Sequence, residues 1–153
     1  MSIFEIDRRA PVRAGAEVVV AAPRAAVWSV LSDIPAWPLW CPGVEGVWIE
    51  SEVAQGTQFD LMIGGQQIRA RLATVEPESS LGWRGNGVTR QERVLWSLSD
   101  VAGGTRVQVE ASVGGLWPRI WRTAVHRELS RMVEGWCQNL ASESVPTASG
   151  CAA

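Results

Sequence analysis

The chain has 153 residues, 46% hydrophobic and 20% charged, with a net charge of −2 and no block of like charges. That composition describes one soluble globular domain. It offers no electrostatic basis for binding nucleic acid or an anionic membrane, and no staple is needed at this length. All fourteen basic residues are arginine, so a lysine Schiff base is excluded, and tyrosine is absent as well.

The first fourteen residues have no clear period, and no apolar core of a signal peptide is present. Ala16 to Ala21 is a β-branched run and reads as a strand. Pro23 then opens a helix, where its missing N–H costs nothing, and Val27, Val30 and Leu31 give helical spacing up to Asp33. Pro35 and Pro38 leave room only for a short second turn near Ala36 to Trp40.

From Val44 the period becomes two. Val47 and Ile49 belong to a strand ending near Ser51. Phe59, Leu61 and Ile63 alternate with Gln58, Asp60 and Met62, and Gly64-Gly65 signals a hairpin. Ile68, Ala70 and Leu72 follow, opposite Arg69 and Arg71, then Leu81 and Trp83, then Val94, Trp96 and Leu98. Gly103-Gly104 turns the chain into the cleanest alternation, Val107, Val109, Ala111 and Val113. Glycine-punctuated strands at this spacing predict an antiparallel meander.

Gly114 to Ser144 reads as one long amphipathic helix. Trp117, Trp121, Val125, Leu129, Met132, Trp136 and Leu140 draw a single apolar stripe. Burying about seven large side chains would contribute on the order of 10–20 kcal/mol of gross transfer free energy before entropy is subtracted. The expected architecture is α+β: a curved seven-stranded antiparallel sheet wrapped around the C-terminal helix, with two short helices after the first strand. The domain spans 1–144, and the small polar tail 145–153 is expected to be disordered.

The segments AAPRAAVWSVLSDIPAWPLW, GGQQIRARLATVEPESSLGWRG and VLWSLSDVAGGTRVQVEASVGG, with this element order, cover nearly all of 16–141. On these the chain resembles the START-like (SRPBCC) superfamily with the helix-grip fold, and within it the polyketide cyclase/dehydrase-like and lipid-transport-like proteins. The resemblance implies a cavity between sheet and C-terminal helix for a small hydrophobic, planar molecule. It points to a biosynthetic cyclase, aromatase or dehydrase of lyase or isomerase type. The alternatives are a non-catalytic carrier or sensor of a lipid, quinone or aromatic metabolite, and an interaction module. A cyclase needs a donor or ionisable group on the cavity wall and a carrier needs none. An interaction module would have a filled interior and an exposed apolar patch.

Eight of the tryptophans are candidates for stacking on such a ligand. The expected ligand-binding set is Trp37, Trp83, Trp96, Phe59, Leu61, Trp121, Met132 and Trp136. Trp37 leads because the tryptophan of this Trp-Pro motif lies at the pocket in aromatase/cyclase relatives. Arg69 and Arg71 are the catalytic candidates, although their register sets them opposite the apolar face. Those relatives carry an inward arginine where Val75 stands here, and a tyrosine where Val44 stands, so the polar groups that would hold an enolate are missing at both positions.

His126, the lone histidine, lies off the helical stripe and reads as a surface residue. Glu45, Glu76 and Glu92 read as solvated, and Cys41 as a buried structural thiol. Cys41, Cys137 and Cys151 have no metal-ligand spacing. The expectations are therefore a reduced, cytoplasmic protein with no metal, no cofactor, no nucleic-acid partner and no membrane insertion. A weak homodimer through an exposed strand edge remains open.

Overall fold

The computed structural model describes residues 9–88 and 90–145. The expected tail, beyond Val145, lies outside the described residues, as does Cys151. The elements follow the predicted order. Strand β1 (Val12–Val20) leads to helix α1 (Arg24–Leu31), a 3₁₀ turn (Ile34–Ala36) and the single-turn helix α2 (Trp37–Trp40). Then come β2 (Val44–Trp48), β3 (Gln58–Ile63), β4 (Gln66–Glu76), β5 (Ser80–Asn86), β6 (Gln91–Val101) and β7 (Gly104–Gly114). Two helices, α3 (Leu116–Ile120) and α4 (Arg122–Ser144), end the domain.

The seven strands form one antiparallel sheet in the order β1-β7-β6-β5-β4-β3-β2. Each pairs with its sequence neighbour, except that β1 closes onto β7, with Val12 opposite Val113 and Val20 opposite Thr105. The first strand thus begins four residues before the β-branched run. Alternation along β3, β6 and β7 sends Phe59, Leu61, Val94, Trp96, Val107 and Val109 to the buried concave face. α4 lies across that face, packed mainly on β1, β7 and α1.

One close approach depends on glycine. Gly104 has φ +151°, and a Cβ there would fall 1.9 Å from the Val20 carbonyl oxygen. Only glycine lets the β6–β7 hairpin meet the end of β1. Nearby, the buried Thr105 hydroxyl donates to the Ala22 carbonyl at 2.8 Å and ties that hairpin to the start of α1.

The C-terminal segment departs from the single helix expected. Trp121 (φ −107°, ψ 42°) interrupts it between α3 and α4. The stripe extrapolated from α4 therefore fails upstream, since one non-helical residue rotates everything before it. Trp117 and Trp121 are half-exposed rather than seated on the sheet. Within α4 the buried positions are Val125, Leu129, Val133, Trp136, Cys137, Leu140 and Ser144. Met132 flanks this stripe and is only partly buried.

Candidate functional site: a tryptophan-walled interior

α1 ends at Leu31, and Pro35 and Pro38 bend the chain so that α2 drops two indoles into the concave sheet. Trp37 meets Phe59 edge-on at 5.9 Å and Trp83 at 6.5 Å, while Phe59 and Trp83 are 6.2 Å apart. Trp40 meets Trp96 edge-on at 6.1 Å, and Trp96 stacks on Trp136 of α4 at 6.2 Å with 23° between the planes. The five indoles, with Cys41, Val44 and Leu61, wall one small space, and Phe59 backs it through its contacts with Trp37 and Trp83.

Six of the eight expected ligand-binding residues therefore converge: Trp37, Trp83, Trp96, Phe59, Leu61 and Trp136. The other two do not. Trp121 stands at the helix break, facing outward. Met132 borders a separate open groove of about 400 Å³ between Pro42-Gly43 and α4.

The walls meet almost flush. The enclosed space is about 10 Å³, enough for one water at most. The sequence implied a hollow interior; here six large rings occupy it. The cause is the tryptophan content itself, because indoles projected from α2, β5, β6 and α4 reach one another across the sheet's curvature.

Hydrogen bonding on this wall is uneven. Trp37 Nε1 donates to the Leu31 carbonyl at 2.9 Å and Trp136 Nε1 to the Pro42 carbonyl at 2.8 Å. Trp40 Nε1 is buried and has no acceptor among the described residues. A buried donor left unpaired costs about 1–3 kcal/mol. α2 is anchored by one further bond from α4, Asn139 Nδ2 to the Trp40 carbonyl at 2.9 Å. The Cys41 thiol beside Trp40 is pushed far up by burial and is protonated at neutral pH.

The proposed arginines stand elsewhere. Arg69 and Arg71 point from the convex face into solvent, and Arg69 pairs loosely with Asp60 at 3.5 Å. His126 and Glu76 are exposed, and exposed Glu45 accepts the Gly65 N–H at 2.7 Å. Glu92 corrects the reading of it as solvated. It is 4% exposed, on the concave face, and ion-paired with Arg90. Burial raises its carboxyl above the ordinary range, Arg90 opposes that by charge and hydrogen bond, and Glu128 of α4 adds to the rise. The signal was present in the sequence: the alternation Leu98, Trp96, Val94, carried back one step, puts Glu92 on the inward side.

Trp40, Cys41 and Val44 also belong to the wall. Trp40 is legible from the same helical turn as Trp37. Val44 lines the space as well.

The match to a family model runs over residues 11–144, described as polyketide cyclase/dehydrase and lipid transport. This chain belongs to that family. Solved structures agree on the fold. A hypothetical protein from Helicobacter pylori superposes with a TM-score of 0.82 at 15% identity, covering 95% of this chain and 99% of its own. The Zhui aromatase/cyclase from a Streptomyces species gives 0.73 at 19% identity, covering 90% and 97%. A START superfamily protein from Mycobacterium smegmatis gives 0.63 at 20% identity, covering 84% and 98%. No curated protein matches the chain significantly. Among the described residues no helix is long and apolar enough to cross a membrane, and no cluster of metal-ligating side chains occurs.

Proposed function

We propose that this family member binds a small planar apolar molecule against the tryptophan wall, with a carbonyl or enol oxygen of the ligand accepting from Trp40 Nε1. The observation that carries this reading is the buried, unpaired indole N–H of Trp40 among the described residues, on a wall where Trp37 and Trp136 already donate to backbone carbonyls. Aromatic faces on several sides suit a flat polycyclic body.

Only about 10 Å³ is free, and exposed apolar residues gather at α3, the two features expected of an interaction module; the ligand reading therefore requires that the ligand displace protein. α2 is the element to move: it is one turn long, it carries Trp37 and Trp40, and few hydrogen bonds hold it. The associated chemistry is of the cyclase or dehydrase type, in which the wall folds a reactive chain and the Trp40 donor steadies a developing enolate. Among the described residues the wall carries no ionisable side chain except the protonated Cys41 thiol, and that is the observation for a second reading, a carrier that binds without turnover.

Titrating intrinsic tryptophan emission with anthraquinone tests the proposal, with native mass spectrometry to detect a co-purified molecule. Saturable quenching is expected. Trp40→Phe keeps the ring and removes the donor, so affinity should fall by roughly 5- to 30-fold, whereas Arg69→Ala should leave it unchanged. Failure of wild type to saturate, or equal affinity of Trp40→Phe, would overturn the proposal. Binding without conversion of a poly-β-ketone substrate would select the carrier reading.

A further inference from the structure

We infer that the end of the molecule built from α3 and the β5–β6 hairpin docks on an anionic lipid bilayer. Scattered exposed apolar residues need no explanation, but these are gathered. Leu116 is 72% exposed, Trp117 53%, Ile120 59% and Trp121 52%, and Val88 at the hairpin tip is fully exposed. Val88, Leu116, Trp117 and Ile120 line one shallow groove of about 340 Å³, and the Trp117 and Trp121 rings lie 5.7 Å apart. The helix break at Trp121 creates this surface by turning both indoles away from the sheet.

Charge selects the occupant. Between residues 116 and 131 stand Arg119, Arg122, Arg127 and Arg131 against the single Glu128, a positive surplus in a chain whose net charge is −2. All four arginines are exposed, and none has an ion-pair partner among the described residues. Composition offers no electrostatic reason for an anionic surface; Arg119 in α3 and Arg122 at the start of α4 supply a local one beside the exposed indoles, while Arg127 and Arg131 line the separate groove at Pro42-Gly43. A second copy would set the same positive surface against itself.

A bilayer satisfies both halves of the patch. Indoles settle at headgroup depth, and arginine stems lie along apolar surface while their guanidinium groups reach phosphates. The contact is adsorption of a five-residue helix and a hairpin tip, since no described helix is long and apolar enough to span.

Flotation of the full chain with vesicles of phosphatidylcholine mixed with phosphatidylglycerol, against phosphatidylcholine alone, tests this. The protein should float with the anionic vesicles, its emission should shift blue, and added salt should release it. The pair Trp117→Ser and Trp121→Ser should lose at least about tenfold in partitioning. The pair Arg119→Glu and Arg122→Glu should lose more, since each arginine near the surface is worth about fivefold. Trp48→Ser, at another exposed indole, should change nothing, and Trp37→Ala should still float, which separates this surface from the interior site. Equal partitioning onto neutral vesicles, no flotation by wild type, or wild-type flotation of the double tryptophan variant would overturn the inference. So would a concentration-dependent dimer abolished by that variant, because a second copy would then be the occupant.

Discussion

Replacing Trp96 with alanine probes the packed interior most severely. Trp96 is 2% exposed, stacks on Trp136 and meets Trp40 edge-on. Burial of an indole in a flush core makes the expected cost about 3–5 kcal/mol, the range for large aromatic-to-alanine changes that leave a void. Each lost ring pair accounts for about 0.5–1.5 kcal/mol of that. With a urea m-value of about 1–3 kcal/mol/M, the midpoint should fall by roughly 1–5 M. The void would be dry, apolar and indole-shaped, so added indole should refill it. At a hundredfold excess over its Kd it should restore about 2.7 kcal/mol, with a markedly smaller gain in wild type. Urea unfolding followed by far-UV circular dichroism, with and without indole, reads both quantities. A cost below about 1 kcal/mol, or no selective rescue, would mean that the rings do not fill the interior as described.

Other expectations rest on single features. Gly104→Ala should destabilise by about 3 kcal/mol or more, since it combines an unfavourable φ with a Cβ driven into the Val20 carbonyl; calorimetry checks this. Replacing the buried pair, Arg90→Met with Glu92→Leu, should leave stability unchanged or raise it by about 1–4 kcal/mol. Because the folded Glu92 carboxyl titrates above its unfolded value, the native state binds the extra proton. Wild-type stability should therefore fall as pH rises from the ordinary carboxylate range through the raised value, and the double variant should lack that fall. In a Cys151→Ser background, native Cys41 and Cys137 should react slowly with a disulfide reagent, since both are buried and the Cys137 thiol is pushed up to about 11. If α2 is the moving element, Cys41 should label first and anthraquinone should protect it selectively.

The sheet was legible because its period is unambiguous. Val107 to Val113 and Phe59 to Ile63 alternate without interruption, and paired glycines mark the hairpins at Gly64-Gly65 and Gly103-Gly104. The same period, carried back from Val94, places Glu92 inside, although a glutamate on a strand reads as solvated. Arg69 and Arg71 were set by register on the outer face, and they stand there. The C-terminal segment was harder. Spacing alone does not register one non-helical residue, so it puts Trp121 on a stripe that ends at Val125, and Met132 in place of Val133 one position away. The state of the interior was illegible for another reason. A list of inward rings gives the walls, but whether they enclose space depends on how far the sheet curves and how the indoles interlock.

The most direct test is the set of nine indole N–H resonances, followed by two-dimensional NMR as anthraquinone is added. Trp40 Nε1–H should move downfield as it gains an acceptor, and the resonances of Trp37 and Trp96 should shift with it, while exposed Trp48 stays in place. A saturating titration that leaves Trp40 unmoved, or shifts only the exposed indoles, would contradict the interior site.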